Sequence, residues 1–242
     1  MQAPLGILML ETRFPRVYGD AGNPATWPFP VAIRIVRDAS PERVIRDRAA
    51  GLVDAFIAAG QALAAGGAAG ITTTCGFLCL HQDRIANALP VPFASSSLLQ
   101  APMVARLLPA GRRVGILTVD SASLGSEHLR AVGIDPATPV MGTEGGAEFS
   151  RVLLGNLPAL DLAAAEADLL DAGRRLIARH PEVGAIVLEC ANMPPYAAAL
   201  AAQLGVPVYD WYSMVTWFAA RLRPRAFLAW PANLAADAPA LR

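Results

Sequence analysis

A parallel α/β fold in two similar lobes, each a sheet flanked by helices with a site in the cleft between them, is predicted by three observations. Short, continuously apolar runs alternate with segments of helical spacing along the whole chain. The 242 residues, 54% hydrophobic and 17% charged, suffice for one large domain or two lobes with a buried core that needs no disulfide or metal staple. The pattern around Cys75 also returns around Cys190.

The first apolar run, Leu5 to Leu10, has no polar alternation and reads as a strand buried on both faces. Residues 12–30 are rich in Pro, Gly, Asp and Asn, a long loop of the kind that a compact domain keeps for binding or covering a site. Ser40-Pro41-Glu42 then opens a helix, with serine as cap, proline in the first turn and an acid facing the dipole. Leu52, Val53, Phe56 and Ile57 give this helix its apolar stripe, and Gly66-Gly67 ends it. Ala69 to Thr74 is the second strand, Phe77 to Leu89 has helical spacing, and Val91 to Ala94 is the third strand.

Val114 to Val119 is a fourth strand, followed by helices over about Ser123 to Val132 and Leu162 to Arg179, the latter stopped by Pro181. Ala185 to Leu188 is the next strand. Pro194-Pro195 starts a helix that ends at Gly205, and Val206 to Tyr209 is a last strand.

Sliding the chain by 115 positions lays Cys75 on Cys190, Ile71 on Ile186, and Leu89, Val91 and Pro92 on Leu204, Val206 and Pro207. Each copy is a strand, a cysteine, a helix and a short Val-Pro strand. Leu5-Gly-Ile-Leu likewise echoes Val114-Gly-Ile-Leu at an offset of 109. Both cysteines follow a strand, and in open parallel sheets ligands gather beyond the carboxyl ends of the strands. If the lobes face each other, the two sulfurs line opposite walls of one cleft.

Composition excludes several functions. All 20 basic residues are arginine, so there is no lysine for a Schiff base or a phosphate loop. Twenty acidic residues balance them without runs of either sign, which argues against nucleic acid and anionic membranes as partners. Three sparse cysteines point to a reducing, cytoplasmic setting rather than a disulfide framework, and no apolar run has the length of a membrane span. The expected partner is a small-molecule substrate, with a homo-oligomer possible and no cofactor or metal required.

Two thiols on opposite walls suit stereoinversion at carbon, which removes a proton from one face and returns one to the other. A following helix amino terminus is expected to draw each thiol pKa toward neutrality.

Thr72-Thr-Thr-Cys75-Gly-Phe and Leu188-Glu-Cys190-Ala-Asn-Met, in two α/β lobes, resemble the aspartate/glutamate/hydantoin racemase superfamily over most of the chain. The resemblance implies a cofactor-independent racemase or epimerase with Cys75 and Cys190 as paired general base and acid. It also implies a first lobe of residues 1–97 plus 211–242 and a second of 98–210, the carboxyl-terminal segment crossing back to the first. Glutamate racemases carry Asn-Thr after the first cysteine and Thr-His after the second, where this chain has Gly76-Phe77 and Ala191-Asn192. That departure turns the expectation from glutamate and aspartate toward hydantoins or other activated acids. Arylmalonate decarboxylases resemble the superfamily with one cysteine and maleate isomerases with both, so decarboxylation and cis-trans isomerisation stay open, as does a ligand-binding module without chemistry.

Candidate substrate contacts are Thr74, Gly76, Phe77 and Asn192 beside the thiols, Arg13 in the first loop, and Ser95 and Thr118 at strand ends. Arg16 and Asn23 share the loop with Arg13 and could help clamp a carboxylate. Ser96 and Ser97 follow Ser95 at the same strand end. Cys79 reads as a packing residue. Glu189 has three readings: it tunes Cys190, it caps, or it faces solvent, and as an anion beside a thiolate it would raise rather than lower that pKa. His81, His128 and His180 share no metal spacing and read as helix-surface residues.

Overall fold

The computed structural model describes residues 3–222 and Pro224. Its apolar runs form two four-stranded sheets, all of whose paired strands run parallel. In the first, β1 (Leu5–Leu10) is flanked by β2 (Val31–Val36) and β3 (Gly70–Thr73), and β4 (Phe93–Ala94) lies beyond β3. In the second, β5 (Arg113–Thr118) is flanked by β6 (Val140–Gly142) and β7 (Val183–Leu188), with β8 (Val208–Tyr209) beyond β7. The orders β2-β1-β3-β4 and β6-β5-β7-β8 are the same order twice, as the sequence repeat implies. β3 and β7, which deliver the cysteines, therefore hold equivalent interior places.

Nine helices cover these sheets among the described residues: α1 (Pro41–Ile45), α2 (Val53–Ala65), α3 (Gln82–Ala88), α4 (Ala101–Leu107), α5 (Ser126–Ala131), α6 (Phe149–Leu154), α7 (Leu162–Arg179), α8 (Ala197–Leu204) and α9 (Trp211–Leu222). The expected single helix from Ser40 to Gly66 is two. Ser40 accepts from the Arg43 amide as predicted, but Arg48, Ala49 and Gly51 take positive φ values of 53°, 53° and 72° and turn the chain between α1 and α2. Phe77 to Leu89 is likewise a 3-10 turn over Gly76–His81 followed by α3, and the helix after Pro194 begins as a 3-10 turn before α8. Gly205, at φ +67°, ends α8 in the left-handed conformation that glycine tolerates.

Four elements lie where the sequence reading assigns none: β2, α4, β6 and α6. β2 is an edge strand without clean alternation, and the other three span seven residues or fewer, too short for a period to register. The long helix α7 stands where its spacing places it, with Asp161 capping two amides.

The two sheets share one continuous apolar cluster, from Leu8, Leu10 and Phe56 through Ile116 and Leu117 to Val187 and Leu188. On the other face of the first sheet, Trp211, Met214 and Val215 of α9 pack with Leu5, Ile7, Trp27 and Ala94. Residues 1–2, 223 and 225–242, which include the end of the expected first lobe, lie outside the described residues. Among the described residues, no helix is long and apolar enough to cross a membrane.

Candidate functional site

Both cysteines emerge from a carboxyl end, Cys75 two residues beyond β3 and Cys190 two beyond β7, and both line the same pocket. Leu10, Phe14, Pro41, Ile45, Val119 and Leu153 make its walls apolar, and Thr74, Phe77, Glu189 and Asn192 complete it. The enclosed space it leaves is tight, about 20 Å³. The sulfurs are nearly closed off, with Cys75 6% and Cys190 8% exposed.

Hydrogen bonds hold each cysteine turn in place. The Cys75 amide donates to the Thr73 hydroxyl (3.2 Å), which donates in turn to the Ser95 carbonyl (2.8 Å). Thr74 Oγ1 accepts from the Leu10 amide at 3.2 Å, tying β1 to the cysteine turn. In the second half, the Cys190 thiol donates to Asn192 Oδ1 at 3.4 Å, while Asn192 Nδ2 donates to the buried carboxylate of Asp20. Asp20 pairs with Arg16 at 3.1 Å and accepts from the Gly22 amide at 2.6 Å. Arg16 lies 4.7 Å above the Phe14 ring, a cation–π contact that stiffens the loop over the pocket. The first loop thus reaches Cys190 through the chain Arg16, Asp20, Asn192.

Glu189 is 1% exposed and lies close enough to influence both sulfurs. Its Oε2 accepts from the Thr118 hydroxyl at 2.8 Å, whereas Oε1 is buried without a partner. Burial pushes its pKa up to about 8, against an ordinary 4.5. The helix dipole expected to lower the thiol pKa values is overruled: burial raises both, and the Glu189 charge raises them further. The physical reason is local. Cys75 is followed by a single 3-10 stretch and Cys190 by a short turn before α8, so neither sulfur sits at the end of a long helix, and loss of water dominates.

Of the sequence candidates, Thr74, Cys75, Phe77, Cys190 and Asn192 meet at the pocket. Thr118 is buried behind it and reaches it through Glu189. Gly76 contributes space rather than a contact: a Cβ there would collide with Glu189 Oε1 and lie 2.5 Å from the Glu189 carbonyl oxygen. Gly76→Ala is accordingly expected to lower stability by about 1–3 kcal/mol and to shift Glu189, read as a lower denaturation midpoint in urea and a changed pH profile.

Arg13 does not join the pocket; it is exposed, and its amide is held by Asn156 Oδ1 at 2.6 Å. Ser95 is buried behind the cysteine turn, where its amide donates to Gln82 Oε1 at 2.9 Å. Asn23 caps a 3-10 turn and donates to the Arg16 carbonyl. Ser96 caps the next 3-10 turn, and the Ser97 hydroxyl donates to the Leu188 carbonyl at 2.6 Å, a tie between the two halves. Cys79 is packed, with its thiol 3.6 Å from the His128 carbonyl.

His128 is not at the surface: it is 0% exposed, edge-on to Phe77 at 5.6 Å, and burial lowers its pKa to about 4. The spacing of α5 turns it inward onto the 3-10 segment after Cys75, a contact visible only in three dimensions. His81 is half-buried against the Arg48 carbonyl (2.9 Å), and His180 contacts Glu182. Asp20 and Glu189 are the site residues whose importance the sequence conceals. Asp20 sits in a loop with ordinary turn composition, and Glu189 had as its signal only its place beside Cys190.

A model of the Asp/Glu/Hydantoin racemase family matches residues 31–219. Dimethylsulfoniopropionate lyase of Durusdinium sp. clade D is 27% identical over 219 residues, covering 86% of this chain and 71% of that protein. Dimethylsulfoniopropionate lyase 5 of Emiliania huxleyi is 29% identical over 224 residues, covering 87% of this chain and 44% of that protein, so the chain spans less than half of that relative. In fold, allantoin racemase from Klebsiella pneumoniae is similar with a TM-score of 0.63 at 18% identity, covering 97% of this chain and 99% of that one. A liganded variant of arylmalonate decarboxylase is similar with a TM-score of 0.62 at 18% identity, covering 94% and 96%.

Proposed function

Given that this chain belongs to the Asp/Glu/Hydantoin racemase family, we propose that it moves a proton at the carbon next to the carboxylate or carbonyl of a small acid, using Cys75 and Cys190 without a cofactor. The observation that carries this reading is the convergence of two thiols, from equivalent strands of two equivalent sheets, on one small pocket. One sulfur, as thiolate, takes the α-hydrogen and becomes a thiol. The electron pair left on carbon delocalises into the adjacent carbonyl as an enediolate or enolate. The other sulfur, as thiol, returns its proton to the opposite face and becomes the thiolate, so inversion costs no net proton.

The apolar walls and the closed pocket serve this chemistry, because a carbon acid loses its proton more readily where water does not compete for the base. Raised thiol pKa values make the conjugate thiolate a stronger base once formed. A neutral Glu189 removes the charge that would otherwise oppose its formation.

A second reading is favoured by the curated relatives, which are dimethylsulfoniopropionate lyases. There the same α-proton removal would be followed by departure of a β-sulfonium group with its bonding electrons, leaving an unsaturated acid. Phe14 and Phe77 on the wall suit a sulfonium cation.

NMR in deuterated buffer tests both. Incubation with hydantoins, amino acids and dimethylsulfoniopropionate is expected to place solvent deuterium at the α-carbon of one of them. Loss of optical rotation identifies inversion, and vinyl resonances with free dimethyl sulfide identify elimination. Absence of both exchange and elimination with every such acid would sink the carbon-acid reading.

A further inference from the structure

Glu189 has a feature that thiol chemistry leaves unexplained. Its two carboxyl oxygens are treated differently: Oε2 accepts from the Thr118 hydroxyl at 2.8 Å, while Oε1 is buried with no partner. Because Oε2 already receives the Thr118 hydroxyl, a proton on this carboxyl belongs on Oε1. Glu189 lines the same pocket as the two cysteines, and the absence of a side chain at Gly76 leaves Oε1 the room it occupies. A buried polar oxygen left unsatisfied in a site of this kind awaits a ligand.

Among the described groups near Glu189, no cation is free to pair with Oε1. Cys75, Cys79 and Cys190 are neutral thiols, Arg16 is committed to Asp20 and stands off the pocket wall, and His128 lies behind Phe77. Thr118 and Thr74 are engaged with Glu189 and the Leu10 amide.

We infer that Glu189 is a further catalytic residue: a neutral carboxylic acid whose Oε1–H donates a hydrogen bond to the substrate carboxylate and strengthens it as the enediolate forms. The inference deepens the carbon-acid reading and rests on it for the substrate. A carboxylic acid kept neutral by an apolar site so that it can donate to an oxyanion has precedent in ketosteroid isomerase. A hydrogen bond of this type grows stronger as charge builds on the acceptor, so it stabilises the intermediate more than the ground state. At neutral pH the acid form prevails, since burial holds the group's pKa near 8. Because no proton leaves Glu189, the two-thiol proton balance is unchanged.

Propionate is the probe, since it offers a carboxylate without a leaving group. In protein labelled with carbon-13 at the glutamate carboxyl, the Glu189 resonance, assigned by its loss in Glu189→Gln, is expected to titrate near pH 8. Its midpoint should rise on adding propionate, because the bound carboxylate needs the proton. Glu189→Leu is expected to bind propionate about 10- to 100-fold more weakly, the worth of one hydrogen bond to a charged group, whereas Glu189→Gln, which keeps a donor at that position, stays within about threefold. The inference is overturned if the wild-type resonance titrates in the ordinary carboxylate range, if propionate leaves its midpoint unmoved or does not bind, or if Glu189→Leu binds it as well as wild type. The wild-type titration needs no variant to fold. A wild type that behaves as expected toward propionate yet exchanges no α-hydrogen would leave the donor role standing and overturn the carbon-acid reading instead.

Discussion

Cys75→Ala and Cys190→Ala are each expected to lower kcat/KM for α-carbon inversion by about 10²- to 10⁴-fold, the usual worth of a positioned acid or base. The two sulfurs line one pocket from separate sheets, and under the two-base mechanism neither can replace the other: without one the α-hydrogen stays, and without the other the carbanion is reprotonated on the face it left. The double variant should be little worse than either single one, because groups that act as a unit are not additive. Folding should survive, since alanine removes one buried atom; the Cys75 amide keeps Thr73, and Cys190→Ala loses only the thiol bond to Asn192, which keeps Asp20, as circular dichroism and a denaturation midpoint would check. The pair also separates the two readings: elimination needs a base alone, so under that chemistry one alanine variant would keep most of its activity. Full inversion by either variant would end the two-base mechanism.

The stability that Glu189 contributes should fall as pH rises from about 4.5 to about 8, against a gain of opposite sign from His128 as pH rises toward 6.5, and Glu189→Gln should remove the glutamate's part. Glu189 holds its proton more tightly in the folded protein, near 8, than in the unfolded chain, near 4.5. Its contribution is therefore complete below the lower value and lost as pH climbs through the higher one. At about 1.36 kcal/mol per unit of pKa difference, the loss approaches about 5 kcal/mol as an upper value. Asp20, whose pKa burial also raises, adds a loss of the same sign that begins at lower pH, and the raised thiols act only in the alkaline range. The difference between wild type and Glu189→Gln in urea titrations at stepped pH isolates the glutamate. Parallel stability curves across that window would show that Glu189 carries its charge at neutrality.

The layout of the molecule was readable to a large extent from residue patterns. Unbroken apolar runs such as Leu5 to Leu10 have no exposed face to give, so they had to be interior strands, and the 115-residue echo of Cys75 in Cys190 announced that the arrangement occurs twice. The break between α1 and α2 was hidden because Arg48 and Ala49, not glycine alone, take the left-handed conformation there. β2 and β6 were hidden because an edge or a three-residue strand carries too little period.

What the chain's own order of residues established is a duplicated parallel α/β scaffold with a thiol at the same place in each half. What required the folded coordinates is everything that depends on distance between segments remote in sequence. The Arg13 backbone turns toward Asn156 and away from the pocket, Asp20 reaches across 172 positions to Asn192, and His128 folds inward onto Phe77. Burial also reverses the expected ionisation of the thiols and keeps Glu189 neutral, because the cost of removing a charge from water is set by how completely the surrounding halves close, and no local pattern encodes that closure.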